Sequence, residues 1–177
     1  SHRPLLNEEK SQFLWCFSKQ RKSFHPTDSI RVGSSFVAPS SSVCCLGVHL
    51  DSHLSFSVHI SRCVSSSFGI LRQIRSIRRS LNRPLLTSVV SSLVISRLDY
   101  CNSLFYGLPD FQHQRLQSVL NASARLIFSS SRFCSVSPLL RKLNFLPIKL
   151  RIAFRLAVLV HNCLHSRAPQ YLIDAIR

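Results

Sequence analysis

Residues 56–81 read FSVHISRCVSSSFGILRQIRSIRRSL, and this stretch decides the fold class. Phe56, Ile60, Cys63, Ile70, Leu71, Ile74 and Ile77 recur at steps of three and four, which puts them on one face of an α-helix. Arg72, Arg75 and Arg79 share an adjacent face. The segment is expected to dock its apolar face on a core and turn a basic stripe outward.

Toward the C-terminus the helical spacing continues. Pro84 suits the first turn of a second helix reaching about Leu98, and Gly107-Leu108-Pro109-Asp110 reads as a turn. Leu116, Val119, Leu120, Ser123 and Ile127 mark a third helix, broken at Ser129 to Ser131. Ser137-Pro138 opens a short helix through Leu143, and Pro147 a longer one through about Leu164, with Ile152, Leu156, Leu159, Val160 and Cys163 on its apolar face. Lys149, Arg151 and Arg155 sit near the start of that helix, where cations oppose the helix dipole at a cost of roughly a few tenths of a kcal/mol. An anionic partner or a structural neighbour is expected to compensate.

Toward the N-terminus the pattern changes. Ser11 to Phe17, Ser29 to Val32 and Val43 to Leu50 are short runs of mixed apolar and polar residues, separated by the basic, Pro-containing Lys19 to Asp28 and the Ser-rich Ser34 to Ser42. Such runs between turn-forming clusters indicate strands. The fold class expected is mainly α with a small N-terminal antiparallel β element, α+β.

Composition narrows the function. Twenty-three Lys+Arg against seven Asp+Glu give 177 residues a formal charge of +16, which points to a polyanionic partner, nucleic acid before membrane. With 45% apolar residues the chain is not disordered by composition. The longest strongly apolar stretch, Leu85 to Ser96, is too short to span a bilayer, so no membrane partner is expected. Seven scattered cysteines suggest reduced thiols and an intracellular protein, nuclear or cytoplasmic. Four isolated glycines make no phosphate cradle, and the absence of methionine predicts a piece of a longer polypeptide.

No catalytic constellation emerges. Metal-assisted phosphoryl transfer needs two or three converging carboxylates, whereas Asp28, Asp51, Asp99, Asp110 and Asp174 are dispersed and Glu8-Glu9 reads as a solvated edge. His49, His53, His59 and Cys63 fall short of zinc spacing, as do His161, Cys163 and His165. No Ser or Cys sits in a nucleophile elbow. No catalytic residue, metal site or cofactor is therefore assigned within the chain. Arg62, Arg72, Arg75, Arg78, Arg79 and Arg83, six guanidinium groups in 22 residues, stand out instead. With almost no acid nearby they suit phosphate contacts along a duplex better than a merely solvated face.

Several phrases, in order along the chain, resemble the reverse transcriptases of non-LTR (LINE-type) retrotransposons. Leu6-Asn7-Glu8-Glu9-Lys10-Ser11-Gln12-Phe13-Leu14 resembles the end of the palm, and Leu46-Gly47-Val48-His49-Leu50-Asp51, followed by Leu54-Ser55-Phe56 and His59-Ile60, the primer-grip strand leading to the thumb. Ser96-Arg97-Leu98-Asp99-Tyr100-Cys101-Asn102, Tyr106-Gly107-Leu108-Pro109, Leu116-Gln117 with Asn121 through Ile127, Leu143-Asn144-Phe145-Leu146-Pro147-Ile148, Arg151, Phe154-Arg155 and Ala168-Pro169-Gln170-Tyr171-Leu172 continue the series. Phe145 stands where the family commonly has Trp, Ser123 in a usually Ala-rich run, and Arg155 for a frequent Lys.

The resemblance implies palm-edge and primer-grip-like strands over 1–55, thumb-like helices over 56–109, and a helical C-terminal extension over 110–177. It implies an RNA-directed DNA polymerase as the parent, with magnesium held by carboxylates upstream in a palm and fingers that this piece lacks; the fragment itself is not an enzyme. Leu46, Gly47 and Val48 would bring backbone close to the primer terminus, Gly47 having no side chain to obstruct it, although a bulge or simple close packing is nearly as good a reason for that glycine. Lys10 resembles a position near the incoming nucleotide, or is a solvated lysine. The partner implied is an RNA/DNA template–primer duplex, held through its phosphates. The alternatives are a stand-alone basic helical module for nucleic acid, a helical bundle that meets an acidic protein, and a relic without function.

Overall fold

The structure is a computed structural model that describes residues 11–17, 28–33 and 35–176. The chain forms two compact units, Ser1–His59 and Ile60–Arg177.

The described part of the first unit is the small antiparallel β element. Strands β1 (Ile30–Val32) and β2 (Ser35–Val37) pair with Ile30 opposite Val37, and β3 (Ser42–Cys45) and β4 (Val48–Asp51) pair with Ser42 opposite Asp51. Three readings of the sequence are corrected here, the first being Ser11 to Phe17, which forms no strand but only an isolated bridge between Phe13 and Pro39. β2 lies inside the Ser-rich stretch expected as a break, and Val43 to Leu50 is a hairpin rather than a single run. The reason is the two-residue loop Leu46-Gly47, with Cys45 opposite Val48. Both loop residues have positive φ, 48° and 81°, as a type I′ turn requires. Glycine adopts this freely, whereas leucine there costs roughly 1–2 kcal/mol, so Leu46 is not a residue type that marks a turn. After β4, Asp51 organises the approach to the first helix. Its carboxylate accepts from the His53 and Ser55 amides at 3.1 and 3.0 Å and from Ser55 Oγ at 3.0 Å. Burial works against its ionisation, but these donors and the Phe56 amide outweigh burial and hold the carboxyl below its ordinary range.

Helix α1 (Ser57–Ile77) continues into a 3₁₀ turn, Arg78–Ser80. Asn82 then caps α2 (Arg83–Val90), its side chain accepting from the Leu85 amide at 3.0 Å, with Pro84 in the first turn. The helix expected from Pro84 to Leu98 is present, but it is built as α2, a π turn Ser91–Ile95, and α3 (Ser96–Asp99). A 3₁₀ turn Asn102–Phe105 leads to α4 (Asp110–Phe128), α5 (Ser137–Lys142), α6 (Ile148–Leu164) and α7 (Gln170–Ile176). α7, only seven residues long, is not marked by helical spacing in the sequence.

The core of this unit runs through Val90, Val94, Leu98, Phe105, Leu116, Val119, Leu120 and Ala124, all virtually free of solvent. α4 lies at its centre, packed on α2, α5 and α6, while α6 also packs on α7 and the Asn102–Phe105 turn. The stretches 56–109 and 110–177, expected as thumb and extension, therefore pack together from Ile60 onward. Ser123, buried in α4, satisfies its hydroxyl by donating to the Val119 carbonyl at 2.9 Å.

Few glycines are available to end these helices, and Ser and Asn take their place. Ser129, Asn144 and Ser166 all have left-handed φ, 58°, 54° and 55°. The next amide in each case, Ser130, Phe145 or Arg167, reaches back to the carbonyl of Arg125, Leu140 or Asn162 at 2.8–3.0 Å. These are the paired bonds of a Schellman closure.

Candidate nucleic-acid interface

α1 carries the arginine stripe. Arg72 and Arg75 are exposed, on a side of α1 adjacent to the one that buries Leu71 and Ile74, and Arg79 is exposed in the 3₁₀ turn that follows. None of the three has a hydrogen-bond or ion-pair partner among the described residues. Arg72 and Arg75 border a cavity of about 340 Å³ whose other walls are Phe68, Leu71, Ala122 and Leu126. The two arginine side chains are thereby set beside a largely apolar wall.

The other sequence-predicted arginines are placed differently. Arg62 is exposed but lies ten residues before Arg72, about 80° around the helix axis, so it does not continue the same line. Arg78 is half-buried, in the 3₁₀ turn. Arg83, at the start of α2, holds its guanidinium 5.1 Å from the centre of the Phe128 ring, a cation–π contact with the last residue of α4. The structure thus leaves Arg72 and Arg75 exposed on one side of α1 and Arg79 exposed in the turn after it, with Arg62 on another side of the helix and Arg83 against the Phe128 ring.

Two further arginines brace α1. Arg97 Nη1 donates to Ser66 Oγ at 3.0 Å, and Arg115 Nη2 to Ser61 Oγ at 2.9 Å while its Nη1 donates to Gln112 Oε1 at 3.2 Å. Cys63 Sγ lies 3.6 Å from the Arg97 carbonyl. Burial pushes the Cys63 thiol up, with Ser67 and the Arg97 charge opposing, which favours its protonated form.

In the first unit, Leu46 is 86% exposed at the hairpin tip, Gly47 forms the turn, and Val48 is buried. A turn with positive φ is the reason for this glycine. Lys10 lies outside the described residues. His49 and His59 sit with ring centres 6.3 Å apart, and no group of three or more His, Cys, Asp or Glu among the described residues could hold a metal ion.

Sequence reasoning missed a second polar locus. Arg151 Nε donates to Asp99 Oδ1 at 2.7 Å and its Nη2 to Asp99 Oδ2, both side chains being largely buried. This pair forms one wall of a cleft of about 940 Å³ between the π turn, the Asn102–Phe105 turn, the loop at Asn144 and α6. Tyr100, Cys101 and Asn102 line it with Asn144, Phe145 and Arg155. Two phrases quoted from the sequence, Ser96 to Asn102 and Leu143 to Ile148 with Arg151, are thus parts of one place. Lys149 also pairs with an acid, Asp110 at 2.7 Å, but through one contact between exposed side chains, and that contact holds the Asp110 carboxyl below its ordinary range. Two of the three cations near the start of α6, Lys149 and Arg151, are compensated by structural neighbours, the alternative to an external anion, whereas Arg155 has no ion-pair partner among the described residues. The clue lay in the unfavourable placement of Lys149 and Arg151; which acids answered it could not be read from spacing.

Among the described residues, no helix is long and apolar enough to cross a membrane. Comparison of the chain with protein-family models, curated proteins and solved structures finds no match.

Proposed function

We propose that the chain is the C-terminal part of a non-LTR retrotransposon reverse transcriptase, contributing a grip on the template–primer duplex and none of the carboxylates that extend it. The observation that carries the reading is the exposed, carboxylate-free set of Arg72 and Arg75 on α1 and Arg79 in the 3₁₀ turn that continues it. Residues 60–177 hold seventeen Lys+Arg against three Asp, and two of those Asp are engaged by Lys149 and Arg151. Positive charge is thus left without an internal counterpart and suits a phosphate backbone, which it would hold without reading sequence. The order of the quoted phrases along the chain supplies the polymerase ancestry. The fragment on this reading works inside the cell, nuclear or cytoplasmic, and joins a palm and fingers that carry the magnesium chemistry.

The test is binding to an RNA/DNA hybrid between about 50 and 200 mM salt. Each phosphate contact steepens the fall of log K with log salt by roughly 0.7–0.9. Charge reversal at Arg72, Arg75 and Arg79 together should weaken binding and flatten that slope by roughly 2 or more, with the circular dichroism unchanged. A wild-type protein whose affinity ignores salt, or a variant with an unaltered slope, would overturn the proposal.

A further inference from the structure

A surface helix normally shows apolar residues to the core and polar ones to water. α6 shows apolar residues to both. Ile148, Ile152 and Cys163 are buried, while Leu150, Ala153, Phe154, Ala157, Val158 and Leu164 come round the other side at steps of three, four and seven and are exposed, with the exposed His161 among them. Leu150 is 55%, Phe154 59% and Leu164 69% exposed. The stripe runs for about 20 Å along the helix. Beside it is a hollow of about 270 Å³ lined by Leu146 and Phe154, with the Asp99–Arg151 pair and Arg155 at its polar side.

We propose that this face docks an acidic amphipathic helix of a partner protein, an apolar side chain of which enters the Leu146–Phe154 hollow while a neighbouring carboxylate meets Arg155. Charge selects this occupant. Lys149 and Arg151 already have carboxylates, whereas Arg155 has none among the described residues, and its unit carries a large excess of basic residues. A second copy would bring that same excess of positive charge against itself. The hollow fits a projecting side chain, which a helix supplies and a lipid surface does not, and the spacing of the stripe matches the anchors of a helix laid in a groove. The inference differs from the duplex proposal in its contacts, which lie on α6 and not on Arg72, Arg75 and Arg79, although both draw on the same excess of basic residues.

The test uses the full chain and a synthetic 18-residue amphipathic peptide with Leu at helical spacing and Glu elsewhere, beside a twin with Lys for Glu, followed by fluorescence anisotropy at about 150 mM salt. The acidic peptide is expected to bind at least tenfold more tightly than its twin. Phe154→Ser, at an exposed position, should weaken it at least tenfold and Arg155→Ala severalfold, while Arg72→Glu with Arg75→Glu changes it less than twofold. Thermal melts confirm that each variant is folded. Absence of binding, equal binding of the two peptides, or indifference to Phe154→Ser overturns the proposal. So does a dimer in sedimentation, or flotation with phosphatidylserine vesicles, that Phe154→Ser abolishes, since the occupant would then be a second copy or a membrane.

Discussion

Arg151 grips Asp99 with two guanidinium nitrogens across fifty-two residues of sequence, tying the first residues of α6 to the end of α3. Both side chains are about four-fifths removed from water, at 17% and 20% exposure. A charge left there alone would be poorly solvated, so the pair matters most through what its loss exposes.

Removing one partner should therefore cost stability. Arg151→Ala or Asp99→Asn is expected to lower the unfolding free energy by about 2–3 kcal/mol, somewhat less than for a fully buried pair. Arg151→Lys keeps the charge but not the planar fork, and should recover only part of the loss. The double variant should lose less than the sum of the single ones. Urea denaturation measures all four, and an Arg151→Ala protein as stable as the parent would show that the pair contributes nothing.

His59 makes the first unit sensitive to mild acid. Burial, with the nearby His49 charge adding to it, depresses its pKa below the ordinary 6.5, and its Nδ1 accepts from the His49 amide at 3.4 Å, a role open only to the neutral ring. The unfolded histidine takes up a proton that the folded one refuses. The stabilisation is thus complete above about pH 6.5 and declines as pH falls below that value. Stability measured from about pH 7.5 down to 5.5 should fall more steeply for the parent than for His59→Gln; parallel curves would dismiss this account.

The hairpin tip offers the opposite change. Leu46 holds a left-handed φ of 48° with its side chain in water, where asparagine is the favoured partner of a following glycine. Leu46→Asn is expected to stabilise the β3–β4 hairpin by about 1 kcal/mol. Slower amide hydrogen exchange at Cys45 and Val48 is the readout, and faster exchange would mean that leucine makes a contact worth more than the strain.

Much of the fold was legible because its helices announce themselves locally. Three- and four-residue spacing located α1, α4 and α6, and Pro84, Pro138 and Pro147 marked where helices begin. The failures were also local in cause. Leu46 carries no turn signal, Ser35-Phe36-Val37 looked like loop because serine surrounds it, and α7 is only seven residues long. The exposed character of Arg72, Arg75 and Arg79 followed from the helix period, but the departure of Arg83 toward Phe128 did not, because that contact joins helices distant in sequence.

By itself the sequence determined the class of fold, the position of the basic stripe and the excess of positive charge, since each depends on residue type and on a period of 3.6 residues. Only the tertiary structure decided which acids neutralise which cations at the head of α6 and which side of that helix faces water. Spacing alone ranked Leu159 with the core, whereas packing left it 36% exposed and turned Leu150 and Phe154 outward. An apolar helix has several faces fit for burial, and the neighbours that arrive from elsewhere in the chain choose among them.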